Sequence, residues 1–334
     1  MTIELNGSTQ DSLKNQHRLG IVILLIVTLI WGTSYPILKG TVINLSPSAI
    51  FAVRFAFAAV PFTPYLRFLN LAILKDGALL GLIIFSTLTL QTFALETTSA
   101  NHAAFIASFN VILVPLLGQF IGRKVLLKTF LAAGLAILGV GVMCWESEQI
   151  VIGDLLMLGN ALLYSIYILK LESITVKHPF LPLTAIQLWV IAIISFVWGA
   201  PDLMEQHELI ANNFGVLLYL GLFDTAATIM LQVIAQKWVN AYQTALMCTL
   251  EPIFGAIFSF LLLGEKLGGR GLVGAALVLA AMILGQSKPS DSEIEQVISN
   301  NASAFNPSLN SQDEIATMPF SLRDPNLAGS EIDS

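Results

Sequence analysis

Ten apolar runs of near-bilayer length dominate the chain and leave it little choice of fold. The first is Ile21–Leu38, and the others fall at about 48–66, 77–95, 102–122, 127–145, 152–170, 182–199, 214–235, 241–263 and 269–286. A helix needs about 20 apolar residues to cross the hydrocarbon core of a membrane, and it satisfies its own backbone polar groups on the way. The runs therefore predict an all-α polytopic membrane protein with ten transmembrane helices. Composition agrees: 11% of the residues are charged and mean hydropathy is +0.78, where soluble chains carry about 25% charge. The first run is too long for a signal peptide's apolar core and lacks a small-residue cleavage site, so it reads as an uncleaved helix.

The net charge of −6 misdescribes the membrane part. From Ser287 onward eight acids face only Lys288 and Arg323, which leaves 14 basic and 14 acidic residues before it. Residues 287–334 are rich in Ser, Asn and acids, without an apolar period that could build a core, and read as a disordered tail. No basic patch suggests nucleic acid. Cys144 and Cys248 lie inside apolar runs without metal-ligand spacing, the four histidines form no zinc motif, and no phosphate-binding G-x-x-x-x-G-K occurs. No cofactor or metal is expected.

Positive charge sets orientation. With the N-terminus inside, eleven Lys/Arg residues (14, 18, 67, 75, 123, 124, 128, 170, 177, 237 and 288) fall on the cytoplasmic side, against Lys39, Lys266 and Arg270 outside. Both termini are then cytoplasmic, in the cytoplasmic membrane. Ten spans make two fives, and the chain repeats itself accordingly. Thr228, Leu231, Gln232, Ala235, Ala241 and Ala245 lie 141 positions after Thr87, Leu90, Gln91, Ala94, Ala100 and Ala104. Ser34-x-x-Ile37-Leu38-Lys39 is matched by Ser165-x-x-Ile168-Leu169-Lys170, and both lysines are expected to snorkel. An odd number of spans per repeat inverts the second half, which gives two inverted five-helix repeats, 19–145 and 146–286, between an N-terminal tail (1–18) and the C-terminal one. Inverted repeats of this kind place substrate sites at mid-membrane, where the halves meet.

Polar groups within lipid-length helices are costly and normally face a partner or a watery cavity. Asp224, Thr228, Gln232 and Gln236, spaced by four, form one stripe, and Gln91 repeats its centre; Gln91 and Gln232 are expected to line a cavity. Asp224 is expected nearer the outer headgroup boundary. Glu251 lies about ten residues inside the ninth run and is expected to pair with Arg54, as a static bridge or as a site that takes up and releases a proton. Trp31 and Tyr35 on the first helix, with Tyr164 and Tyr167 on the sixth, could stack on a substrate or simply pack. Pro115 and Pro252 remove helical hydrogen bonds and suit bending gates.

Several motifs together resemble one family. Trp31-Gly32-Thr33-Ser34 with Lys39 and Arg54, then Thr98–Ile106 through Val114-Pro115, then Leu250-Glu251-Pro252, Leu261-Leu262-Leu263-Gly264-Glu265 and Gly274 are similar to the EamA-type drug/metabolite transporter superfamily, over residues 20–286. The resemblance implies ten helices in inverted repeats, alternating access, and export or exchange of small polar or amphipathic metabolites. Helices one to four and six to nine would surround the cavity, with five and ten outside. Asn110 stands where the second half has Glu251, and Arg123-Lys124 where it has Gly264-Glu265, so the halves are not equivalent.

The expected function is thus a secondary transporter of small organic metabolites, an exporter exchanging against protons. Its substrate-binding set is Trp31, Ser34, Tyr35, Arg54, Gln91, Asn110, Tyr164, Tyr167, Asp224, Gln232 and Glu251, with Pro115 and Pro252 as gates. Its partners are the lipid bilayer, a small molecule and protons, and a homodimer is left open. A sensor or scaffold and an intramembrane enzyme, the latter using an Asp154/Asp224 dyad, are the rival classes.

Overall fold

The structure is a computed structural model that describes residues 7–98, 100–123, 127–143, 151–263 and 269–285. Lys124, Cys144, Glu146, Glu148, Gly264, Glu265 and the tail 287–334 lie outside the described residues. What is described is helical, with no strand among these residues. Helix α1 (Gly7–Val42) runs unbroken through Pro36. Helix α2 (Pro47–Ala59) continues as a 3-10 turn, Val60–Phe68. Then follow α3 (Leu71–Thr97), α4 (Ala100–Ala107), α5 (Asn110–Phe120) and α6 (Leu127–Met143). The second half holds α7 (Ile152–Thr175), α8 (Phe180–Glu205), α9 (His207–Asn212) and α10 (Phe214–Tyr219). A π-helical turn, Leu220–Ala227, leads into α11 (Thr228–Ala235), followed by α12 (Ala241–Cys248), α13 (Glu251–Leu263) and α14 (Gly269–Gly285).

Short polar caps start these helices at the ends of apolar runs. Ser46 accepts from the Ala49 N–H with Pro47 behind it, Asn70 from Ile73 N–H at 2.8 Å, and Asn240 from Gln243 N–H at 2.9 Å. Gly122, at φ +81°, closes α5 in the left-handed region that a side chain resists. Among the described residues, seven helical stretches are long and apolar enough to cross a membrane: Lys14–Val42, Pro47–Phe68, Leu71–Thr97, Ala103–Phe120, Ile152–Thr175, Phe180–Glu205 and Phe214–Ala235. The fifth and tenth expected runs are covered by the shorter α6 and α14, and the ninth by α12 and α13.

Packing between the halves has a simple rule. Helix α1 packs on α11, α12 and α13, while α7, its counterpart, packs on α3, α4 and α5. Helix α2 packs on α8 and on the π turn; α8 packs on α2 and α3. The pairs α4–α13, α5–α12 and α6–α14 complete the set. Exchanging the two halves converts this list of neighbours into itself, as a twofold relation requires. With lipid as apolar as leucine, such contacts hold by close packing and hydrogen bonds rather than by burial from water.

Two expected helices are interrupted, and at the same register. The fourth run breaks at Ser108–Phe109 and the ninth at Thr249–Leu250, 141 positions on. In both, the backbone tightens to bonds three residues back: Ser108 N–H to Phe105 and Phe109 to Ile106, Thr249 to Leu246 and Leu250 to Met247. Both breaks carry a hydroxyl that bonds backward, Ser108 to the Ala104 carbonyl and Thr249 to that of Leu246, a device that bends helices. Pro252, lacking an N–H for the Cys248 carbonyl, reinforces the second break. Pro115 lies within α5, six residues beyond Phe109, so the first break is not of its making.

Candidate functional site

One cavity is lined from both halves, and its polar wall begins at the two helix breaks. Asn110 opens α5, and Glu251 opens α13. The lining comes from α1 (Trp31, Ser34, Tyr35), α2 (Arg54), α3 (Thr87, Gln91), α5 (Asn110), α7 (Asn160, Tyr164), the π turn and α11 (Asp224, Thr225, Thr228), and α13 (Glu251), with Leu38, Ile84, Leu88, Ala107 and Ile229 between them. It encloses about 630 Å³, counting the part open to solvent. Helices α6 and α14 pack on each other, and among the described residues they line none of it, as the resemblance implies; α8 also lines none of it, contrary to that expectation.

The charges pair differently from expectation. Arg54 bonds Asp224, not Glu251: its Nη2 donates to Asp224 Oδ2 at 2.6 Å, and its Nε donates to Thr225 Oγ1 at 2.7 Å. Asp224 stands midway along Phe214–Ala235 rather than at its outer end, and it is 2% exposed and enclosed by helices. Two local features bring it there. A Cβ on Gly221 would come within 2.6 Å of the Arg54 carbonyl, so the glycine lets α2 and the π turn touch. The π turn then widens the helix, closed by Thr225 Oγ1 donating to the Leu220 carbonyl, and both Asp224 and Thr225 reach the cavity.

Glu251, 6% exposed, instead accepts from the Tyr35 hydroxyl at 3.4 Å. Beyond it, Cys248 Sγ lies 4.0 Å from the Tyr164 hydroxyl. Trp31 meets Tyr164 edge to face, with centroids 5.7 Å apart, and its Nε1 donates to the Asp224 carbonyl at 3.4 Å. Asn160 Nδ2 donates to the Thr87 carbonyl at 2.8 Å, tying α7 to α3.

Of the residues expected to bind substrate, Trp31, Ser34, Tyr35, Arg54, Gln91, Asn110, Tyr164, Asp224 and Glu251 meet at this cavity. Two do not. Gln232 stands behind the wall, where its Nε2 donates to the Tyr164 hydroxyl at 2.9 Å and to Gln236 Oε1 at 3.3 Å. Tyr167 is fully buried, stacked on Tyr164 and donating to Gln187 Oε1 at 2.9 Å. Helical rotation explains this: three residues past Tyr164, Tyr167 has turned toward α8. Thr87, Asn160, Thr225 and Thr228 are polar lining residues outside the expected binding set, and Thr225 stands off the i+4 stripe that starts at Asp224. The widened turn that carries Thr225 leaves no mark in side-chain periodicity.

The proposed acidic dyad is also dissolved by its surroundings. Asp154 caps α7 by accepting from Val151 N–H at 3.0 Å and takes the Thr98 hydroxyl at 2.7 Å, while Asp224 is held by Arg54. Lys39 Nζ donates to the Leu95 and Thr98 carbonyls at 2.6 and 3.0 Å, sealing the end of α3. At the opposite end of α7, Arg123 pairs with Glu172, whose Oε1 also accepts from Ala241 N–H at 3.2 Å. Among the described residues, no group of His, Cys, Asp and Glu has the arrangement of a metal site.

Comparison with known proteins places the chain. The EamA-like transporter family matches it twice, at residues 18–145 and 151–285. An uncharacterized transporter of Archaeoglobus fulgidus is 31% identical over 266 residues, covering 78% of this chain and 83% of its own length. Another, from Methanothermobacter thermautotrophicus, is 24% identical and covers 85% and 91%. A solved structure titled only as the crystal structure of a protein matches the fold with a TM-score of 0.64 at 14% identity, over 80% of this chain and 95% of that one. Two family matches that together cover nearly all of the described helices leave one conclusion: the chain belongs to the EamA-like transporter family and is a multi-span membrane transporter.

Proposed function

We propose that the protein is a secondary carrier that moves a small organic solute outward across the cytoplasmic membrane, by alternating access and in exchange for protons. It does so as two inverted repeats of five spans, ten in all, with both termini cytoplasmic. The observation that carries this reading is the cavity itself: one polar site assembled from both halves, at two helix breaks of matching register. Broken helices at a repeat interface are where carriers expose backbone and buried charge to a solute. A twofold arrangement also supplies the motion, since rocking one half against the other opens the same site first to one side and then to the other. The eleven-to-three bias of Lys and Arg supports the orientation.

Within this reading Glu251 is the proton carrier. It is the cavity carboxylate without a cationic partner, whereas Asp224 is engaged by Arg54. The test is counterflow in proteoliposomes with a panel of labelled amino acids and amphipathic cations, with and without a pH gradient. Flux of at least one solute, accelerated by the gradient, is expected. In Glu251→Gln the acceleration should vanish while solute exchange persists at raised solute concentration. Absence of flux for the whole panel under every gradient defeats the carrier reading, and gradient-driven flux surviving in Glu251→Gln defeats the proton assignment.

A further inference from the structure

Hydrogen bonding and charge in the cavity select among solutes. The formal charges on its wall are those of Arg54, Asp224 and Glu251, one more negative than positive. Arg54 directs two of its five N–H groups to Asp224 and Thr225. The hydroxyls are spent. Ser34 donates to the Trp31 carbonyl, Thr87 to that of Ile83, Thr228 to that of Asp224, and Tyr35 donates to Glu251.

What the wall leaves unmet is two buried acceptors. Asp224 Oδ1 and Asn110 Oδ1 have no hydrogen-bond partner, and both residues are 2% exposed. A buried acceptor without a donor is unfavourable, and more so on a carboxylate. A solute that satisfies this wall must bring N–H donors and positive charge. An anion would leave the acceptors empty and, with Glu251 deprotonated, add charge to a negative site. Beside the acceptors stand the rings of Trp31, Tyr35 and Tyr164, whose faces attract cations and whose breadth suits an apolar or aromatic body.

We infer that the solute is a small organic cation, a primary ammonium on an aromatic or branched apolar body, whose N–H groups satisfy Asp224 Oδ1 and Asn110 Oδ1. The inference rests on the reading of this cavity as the substrate site and adds the class of substrate to it. The ammonium supplies the two oxygens with the donors they lack, and the ring stands against Trp31 and Tyr164.

The test uses the purified full chain and three probes of nearly the same body: phenethylamine, a cation at neutral pH; 3-phenylpropionate, its anionic counterpart; and phenylalanine, the zwitterion. Equilibrium binding should rank phenethylamine first, at least tenfold tighter than either of the others. Asn110→Ala and Glu251→Gln should each weaken phenethylamine binding tenfold or more. Both leave the Arg54–Asp224 pair untouched, and an unchanged thermal unfolding midpoint verifies that they are folded. Three results overturn the inference: no binding of phenethylamine, binding of phenylpropionate or phenylalanine as tight as that of phenethylamine, or phenethylamine affinity unaltered in both variants. None of these bears on the carrier reading, which the solute panel in proteoliposomes decides separately.

Discussion

Arg54 and Asp224 show what a buried charge requires. Each is at most 3% exposed, so neither has water to fall back on, and the pair is worth less as a source of stability than its loss would cost. Removing one partner strands the other, at a cost of about 3–5 kcal/mol, whereas replacing both with apolar groups is often neutral. Asp224→Ala should therefore lower the thermal midpoint of the detergent-solubilised protein severely. The double variant Arg54→Leu/Asp224→Leu should recover most of that loss while remaining unable to bind solute. Equal destabilisation of the single and double variants would mean that the pair is not the seat of the effect. Glu251 is a different case, since Tyr35 at 3.4 Å is a weak partner and leaves the carboxylate available for chemistry.

At the scale of elements, three departures from a regular α-helix build the site. The breaks at Ser108–Phe109 and Thr249–Leu250 start new helices at Asn110 and Glu251, and the π turn turns Asp224 and Thr225 inward together. The signal for the breaks was present in the chain: Ser108-Phe109-Asn110 and Thr249-Leu250-Glu251 are the same hydroxyl–apolar–polar triplet 141 positions apart. The π turn had no comparable signal except Gly221, which admits α2 at close range. Gly221→Val should push the π turn away from α2, at about 1–3 kcal/mol of overpacking, and should separate Arg54 from Asp224. A thermal scan together with solute affinity checks this. A variant that loses neither would show that the close approach at Gly221 does not position the pair.

For the whole molecule, the exchange of neighbours between halves is the property that matters. One end of the bundle is held by Glu172, which bridges Arg123 at the close of α5 and the Ala241 N–H at the start of α12. The proposed alternation, where it opens this end, would part this bridge. Arg123 and Glu172 remain 30% and 21% exposed, so the pair contributes on the order of 1 kcal/mol or less. Glu172→Gln should accordingly raise the alkylation rate of Cys248, beside the cavity, by a few-fold in a Cys144→Ala background. An unaltered rate would show that the bridge does not restrain opening.

The sequence by itself determined the class of fold and most of the cavity wall. Lipid imposes demands that are local and periodic: length, hydropathy, and intolerance of stray polar groups, so that Trp31, Gln91, Asn110 and Glu251 stand out against apolar runs. Duplication added the relation between the halves. Tertiary structure alone decided which charge meets which, because residues 170 positions apart (Arg54 and Asp224) carry no mark of their distance in space. It also decided which face of each helix meets the cavity, and so removed Gln232 and Tyr167 from the wall and put Thr225 into it. Coulomb forces and hydrogen bonds act over a few ångströms, and those ångströms exist only after the helices have packed.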